Sequence, residues 1–306
     1  MKVLVTGGAG FIASHIVDAY VERGHNVTVI DDFSSGRREN VNPKAELIEA
    51  DLRNPAIVES LRGRGFELVN HHAAQIDVRV SVADPAADAE LNVVASLRLF
   101  QTMLEDGVKK IVFASSGGAA YGEPQYAPQD EQHPVVPTSP YGCAKLAIDQ
   151  YLGFYRAVYG LRAVSLRYGN VYGPRQRKDG EAGVVAIFAG ALLDGQRARI
   201  NGTGEQTRDY VYVDDVVRAN MAASELDLDG IFNVGTGVET SVNELYDGIC
   251  EALGKDAKAE NAPAKAGEQV RSVLNGTKLR SIAKLPEPVS LREGLERTME
   301  WLKSVG

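Results

Sequence analysis

Cysteine, basic charge and long apolar runs are what this chain has least of. Two cysteines, Cys143 and Cys250, occur in 306 residues. Two thiols cannot frame a disulfide scaffold, and without a secretory signal they read as reduced cytosolic thiols. Lysine and arginine number 33 against 41 aspartate and glutamate, a net charge of −8. That balance excludes nucleic acid as a partner, because phosphate backbones select basic surfaces. It leaves room for a small anion held by a few local arginines. The longest apolar run, VVAIFAGALL at 184–193, falls well short of the roughly 20 residues that a membrane span needs. Neither an HExxH motif nor a Cys/His cluster surrounds His71 and His72, so no metal site is expected. The opening MKVLVTGGAGF is already strand and loop, which leaves nothing for a targeting peptide and points to the cytoplasm.

What is present is an alternation. Short β-branched runs at 2–6, 26–30, 45–50, 66–70, 110–115 and 162–168 read as strands. Helical patterns fall near 11–23, 55–62, 85–106 and 142–159. Strands alternating with helices imply parallel pairing and a doubly wound α/β sheet of Rossmann type. After about residue 168 the rhythm changes. IFNVGTG (231–237) reads as a strand returning to the main sheet, and 242–254 and 290–302 as helices of a smaller part. The expected division is a cofactor domain over 1–168, with a returning piece near 209–237, and a smaller mixed α/β substrate-binding domain over 169–306.

TGGAGFIASH follows the first strand and opens a helix. Gly8, Gly10 and Ala13 fit the G-x-G-x-x-G/A pattern, and Gly7, Gly10 and Ala13 its wider variant. Such glycines let backbone N–H groups reach a pyrophosphate at a helix N-terminus. Asp31 stands 21 residues beyond Gly10, at a strand end, where a carboxylate can hold the adenosine ribose diol. It would repel a 2′-phosphate, favouring NAD over NADP. Arg37 and Arg38 argue the other way, and Asp31 could simply start the turn in DDFSSG.

SPYGCAKLAIDQYL places Tyr141 and Lys145 four apart, on one face of a helix. An ammonium near a phenol lowers the phenol's pKa, so the pair predicts a tyrosine base working near neutral pH. A surface pair at this spacing is the plainer alternative. The cofactor loop and Asp31 favour catalysis.

TGGAGFIAS, DDFSSG, the strand-end AS before YG, SPYGCAK, LRYGNVYGPRQ and TRDYVYVDD come in the order and spacing of the extended short-chain dehydrogenase/reductases. Within that family the chain most resembles the UDP-glucose/UDP-galactose 4-epimerases. The resemblance implies NAD as cofactor, a UDP-sugar substrate and a homodimer formed through the helices at 85–106 and 142–159. It assigns Gly7, Gly10, Phe11 and Ile12 to the pyrophosphate turn, and Asp31, Asp32, Ser34, Ser35 and Gly36 to the adenosine ribose. Asp51 and Leu52 would lie against adenine. His72, Ala73, Ala74, Gln75, Asn92, Ser115 and Tyr168 would line the nicotinamide side. Lys145 would bind the nicotinamide ribose, and Tyr141 would be the acid/base. Asn170, Gly183, Val184, Val185, Arg199, Asn201, Arg208, Lys265 and Glu268 would grip the UDP-sugar, with Arg208 best suited to the diphosphate.

One departure matters. The family places a hydroxyl residue four positions before the tyrosine of YG, and here that position is Gly117. Ser116, next to it, or a water is expected to take over the hydroxyl's role. The related dehydratases carry an Asp-Glu pair in this loop, where this chain has Gly118 and Ala119. Without a carboxylate, elimination lacks its proton shuttle, whereas a 4-epimerase needs only one acid/base group. A small residue near Ser272 would leave room for an N-acetyl group, so UDP-N-acetylglucosamine is a second candidate substrate. Another sugar-nucleotide enzyme, such as a reductase or decarboxylase, and a non-catalytic NAD sensor are the remaining alternatives.

Overall fold

The computed structural model describes residues 1–177, 183–264 and 269–305. The chain opens with β1 (Lys2–Thr6), α1 (Phe11–Glu22), β2 (Asn26–Asp31), β3 (Glu46–Glu49), α2 (Pro55–Glu59) and β4 (Leu68–His71). Two short helices follow, α3 (Val78–Ala83) and α4 (Pro85–Ala89), then a π turn over Glu90–Ala95 that runs into α5 (Ser96–Glu105). β5 (Lys110–Ser116), α6 (Gly117–Tyr121), α7 (Pro140–Tyr159) and β6 (Arg162–Tyr168) complete the first half. The second half holds β7 (Asn170–Tyr172), α8 (Val184–Leu193), β8 (Arg199–Asn201), β9 (Thr207–Arg208), β10 (Tyr210–Tyr212), α9 (Val213–Glu225) and β11 (Gly230–Val234). It ends with β12 (Thr240–Ser241), α10 (Val242–Leu253), β13 (Glu260–Ala262), α11 (Thr277–Ala283) and α12 (Leu291–Val305).

Seven strands form one sheet in the order β11-β6-β5-β4-β1-β2-β3, with every pairing parallel. The near-continuous apolar strands are buried on both faces, as a doubly wound sheet requires. Val3 and Val5 point to one side, packing with Ile16 and Val17 of α1 and Val216 and Ala219 of α9. Leu4, between them, points to the other and joins Leu99, Phe100, Ile148 and Leu152 of α5 and α7. The strand order reverses between β1 and β4, and the carboxyl ends at that point leave a crevice where ligands bind in such sheets. A third apolar cluster, built from Phe188, Tyr212, Leu245, Ile249 and Met299, holds α8, α10 and α12 together.

The structure breaks the expected helix over 85–106 into α4, the π turn and α5. VRVSVA is helical despite its valines, with the Asp77 carboxylate accepting from the Arg79 and Val80 N–H groups at its start. Asp84 ends that helix and caps the next through Ala87 N, with Pro85 in its first turn. The glycine loop after β5 winds into α6, whose first turn is capped by Ser116 Oγ accepting from Ala119 N. α7 starts at Pro140, two residues before the expected start, because Ser139 caps it through Gly142 N.

Candidate active site

The cleft begins at the turn after β1. Gly7 has φ of +69°, and a Cβ there would stand 2.7 Å from Ala73 N, so only glycine lets the turn lie this close to the end of β4. Gly10 caps α1 with no side-chain hydrogen bond, which leaves the helix's first N–H groups facing the cleft. Asp31 closes one side. Its Oδ2 accepts from Ala9 N at 2.9 Å and its Oδ1 from Phe33 N at 2.8 Å. Burial raises its pKa against the pull of those two bonds. Gly36 does not face the cleft; a Cβ there would come within 2.8 Å of Asp31 Oδ1, so it lets the loop fold over the carboxylate. Asp32 fastens the same loop by accepting from Ser34 N and Ser34 Oγ. The two arginines that could greet a 2′-phosphate are engaged elsewhere. Arg37 pairs with Glu39, and Arg38 pairs with Glu49 while stacking 4.4 Å over the Phe33 ring.

The catalytic corner sits at the other end. Gly7, Gly10, Phe11, Ile12, Asp31, Asp32, Ser34, Ser35, Asp51, Leu52, His72, Ala73, Ala74, Ser115, Tyr141, Lys145 and Tyr168 all line this one cleft. Lys145 is buried and donates from Nζ to Ala114 O at 2.8 Å. Its ammonium lies 4.7 Å above the Phe113 ring and 5.7 Å from the centre of the Tyr141 ring. Burial pulls it down to about 8, against the opposing pull of Asp149 and Asp88. The Tyr141 phenol behaves differently from the sequence expectation. Burial pushes it up to about 12, with the hydroxyl of Ser116, hydrogen-bonded to it, pulling down and Asp88 pushing up. Burial thus outweighs the pull of Ser116 on this phenol. Tyr141 is held at the start of α7 by its N–H, which donates to Ser81 Oγ at 3.3 Å.

Gln75 and Asn92 stand behind the cleft wall rather than on it. Asn92 Oδ1 accepts from Gln75 N, and its Nδ2 donates to Gln75 O and to Asp88 Oδ1, each at 2.9 Å. These bonds fix the loop that presents Ala73 and Ala74. His72 faces Tyr168, with Nε2 3.1 Å from the phenol oxygen. Burial and the Lys145 charge pull its imidazole down to about 3, so it is neutral. Ser115 Oγ is buried at the cleft without a hydrogen-bond partner, and that orphan suits a polar group of a bound dinucleotide. With the uncapped α1 and the Gly7 turn, the residues present fit NAD.

The substrate-side residues lie on several elements. Asn170 is exposed at the start of β7, and Gly183 caps α8. Val184 is half-buried in the first turn of α8, whereas the Val185 side chain is 1% exposed and belongs to the apolar core. It can offer a ligand only its backbone. Arg199 reaches solvent from β8, 3.9 Å from Glu260, and Asn201 ends the same strand. Arg208 on β9 is half-buried and donates to Thr207 O at 2.8 Å. Lys265 and Glu268 lie outside the described residues.

Three polar groups that support the site escaped the sequence reading. Ser81 and Asp88 come from α3 and α4, whose separate existence the sequence pattern hid. Asp149 follows Lys145 by four residues on the same face of α7, a spacing that could have flagged it.

Residues 3–235 match the model of the NAD dependent epimerase/dehydratase family. A solved UDP-glucose 4-epimerase from Thermotoga maritima, with UDP-glucose, superposes with a TM-score of 0.97 at 45% identity, covering 99% of each chain. One from Thermus thermophilus, in complex with NAD, gives 0.94 at 44% identity over all of both chains. A UDP-N-acetylglucosamine 4-epimerase from Methanobrevibacter ruminantium, in complex with UDP-N-acetylmuramic acid, gives 0.93 at 36% identity, covering 99% of this chain and 98% of the other. With a dinucleotide turn at one end of its cleft and a Tyr-Lys pair at the other, and with relatives this similar along its whole length, the chain belongs to the NAD dependent epimerase/dehydratase family.

Proposed function

We propose that this protein interconverts UDP-galactose and UDP-glucose by inverting C4 through a 4-keto sugar. The observation that carries this reading is the gathering of Tyr141, Ser116 and Lys145 at one end of the cleft, beside the glycine and alanine residues of α6. NAD, held in the cleft, supplies the hydride acceptor and a positive charge beside the phenol. The resting Tyr141, held up at about 12 by burial, keeps its proton until such a charge is present. Once it has released that proton to solvent, the phenolate takes the 4-hydroxyl proton and returns it to the ketone oxygen after the sugar has turned over. Ser116, bonded to the phenol, is the hydroxyl placed to steady that oxygen. Lys145 has one of its three N–H groups on Ala114 O, with the others left for the ribose and the phenol side. No carboxylate occurs between Ser116 and Gly122 to drive elimination of water.

The cofactor unit comprises 1–168 with the returning piece near 209–237, and the rest holds the UDP-sugar. Arg208 is the residue we assign to the diphosphate, because a guanidinium matches phosphate oxygens. The protein would work in the cytoplasm, in galactose metabolism, as a homodimer through the apolar face of α7. A second reading, UDP-N-acetylglucosamine as substrate, is favoured by Ser272. That small residue is buried with Oγ 3.2 Å from where a Cβ on Gly118 would stand.

The test is incubation with UDP-galactose and no added cofactor, following the anomeric protons by NMR. Appearance of UDP-glucose is expected. A Tyr141→Phe variant should lose at least about 100-fold in rate. No conversion even with NAD supplied, alongside turnover of the N-acetylated sugar, would replace the first reading with the second.

A further inference from the structure

Behind the catalytic corner lies a buried ion pair that the mechanism above does not use. Arg167 of β6 is 2% exposed and Asp149 of α7 is 4% exposed. Arg167 donates from Nε to Asp149 Oδ2 at 2.9 Å, and its Nη2 lies 2.8 Å from the same oxygen. Ser165 Oγ donates to Asp149 Oδ1. The guanidinium also sits 4.7 Å over the ring of Tyr121, the last residue of α6, and hydrogen-bonds its oxygen. Tyr121 OH in turn donates to Asn233 Oδ1 at 2.9 Å, on β11. Buried ion pairs are poor net stabilisers, since desolvation cancels most of the attraction. A pair of this kind directly behind an active site calls for another explanation.

We propose that Arg167 is a positioning residue that keeps Asp149 from capturing the Lys145 ammonium and ties the β5–α6 junction bearing Ser116 to the helix bearing Tyr141. Asp149 stands one helical turn beyond Lys145 on the same face, where an unpaired carboxylate would draw the ammonium to itself. Arg167 and Ser165 occupy both carboxylate oxygens, and Lys145 donates to Ala114 O instead. The groups facing Lys145 can be named element by element. α7 itself supplies Tyr141 and Asp149, and α4 supplies Asp88. β4 supplies His71 and His72, both neutral, and β5 the Phe113 ring and the Ala114 carbonyl. Among them Asp149 is the carboxylate held by an arginine, and the arginine is what sets how strongly its charge is felt. The second half of the role is mechanical. α6 begins directly after Ser116 and ends at Tyr121, so a guanidinium bonded to Asp149 and stacked on Tyr121 fixes both sides of the Ser116–Tyr141 contact.

This proposal rests on Tyr141 and Lys145 being the catalytic pair. The experiment uses the full chain with NAD and UDP-galactose, recording kcat against pH for wild type, Arg167→Met, Arg167→Lys and the double variant Asp149→Asn/Arg167→Met. In Arg167→Met the unpaired Asp149 should move the alkaline limb, where Lys145 loses its proton, up by about one unit. Arg167→Lys should keep the limb in place with a lower rate, and the double variant, which lacks the carboxylate that pulls Lys145 up, should bring it back to its wild-type position or below. Equal loss of rate in the Met and double variants, with an unmoved limb, would reduce the pair to a structural role and overturn the proposal. Should Arg167→Met fail to fold, Arg167→Gln, which keeps a neutral donor toward Asp149, takes its place, and an unmoved limb there overturns the proposal. Tyr141→Phe, run alongside, separates the two readings: near wild-type turnover there would sink the catalytic assignment itself.

Discussion

A Cβ placed on Gly117 would come within 2.5 Å of Leu274 Cδ1. Leu274 is fully buried, and its N–H donates to the buried Asp209 carboxylate at 3.1 Å. The leucine thus fills the space that a side chain at 117 would need, and the network around Asp209 stops it from retreating. Gly117 is the counterpart of a leucine rather than a lost hydroxyl. Gly117→Ser should destabilise the protein by about 1–3 kcal/mol, the usual cost of overpacking. Gly117→Ser/Leu274→Ala should cost less than the sum of the two single variants, because each relieves the other. Urea unfolding of the four proteins measures this, and strict additivity would show that the two positions do not compete for space.

The hydroxyl function falls to Ser116. Its hydrogen bond to the Tyr141 phenol pulls that phenol's pKa down. Ser116→Ala should therefore lower kcat about tenfold, the equivalent of one hydrogen bond to a reacting group. KM for the UDP-sugar should change little, since the bond matters as charge develops. A rate within about twofold of wild type would remove the serine from the mechanism and leave water as the substitute.

The sheet and the cofactor turn were readable in the sequence because their signals are local. β1, β2 and β5 carry β-branched and apolar runs, and the glycines of the turn follow β1 directly. The Tyr141–Lys145 pair was readable from its spacing, but the state of the phenol was not. Burial and the bond to Ser116 set it, and both arise only when α6 and α7 meet. The identity of Leu274 as Gly117's partner was hidden for a similar reason, since 157 positions separate the two. The segment 85–106 reads as one helix, whereas Asp84 caps a short helix at its start and a π turn separates that helix from the next, and neither break leaves a mark in the periodicity. The resemblance assigns Val185 to the UDP-sugar, whereas its side chain joins the third core cluster, and side-chain direction of this kind needs the fold.

Acid should destabilise the protein through its buried imidazoles. His71 is 1% exposed, bonded to Thr6 Oγ1 at 2.7 Å and Ser96 Oγ at 2.9 Å. Burial first, then the charge of Lys145, pulls it down to about 3 from 6.5. The unfolded chain binds a proton at His71 below 6.5, whereas the folded chain does so only near 3. Its contribution is therefore present above pH 6.5 and lost as pH falls toward 3, at up to about 1.4 kcal/mol per unit. His72 acts in the same direction, while Asp31, Asp88 and Asp209, raised by burial, oppose it. Unfolding free energies measured between pH 6.5 and 4.5 should fall more steeply for wild type than for His71→Gln. Parallel curves would mean that His71 does not carry the dependence.

The outer face of α7 should hold two copies of the chain together. Tyr151, Phe154, Val158 and Tyr159 are all more than 40% exposed, and Phe154 and Tyr159 meet edge to face with ring centres 5.6 Å apart. Four large apolar residues at this helical spacing make a contiguous patch of the kind that marks an interface. A twofold pairing would set the same patch on both copies, so one charge introduced there is felt twice. Phe154→Arg should therefore convert the protein from about twice 32.9 kDa to 32.9 kDa in light scattering. The variant should still bind NAD, because Phe154 lies nine residues beyond Lys145 on a face that does not line the cleft. A wild-type mass of 32.9 kDa at micromolar concentration would leave this face without a second copy and the dimer assignment would fall.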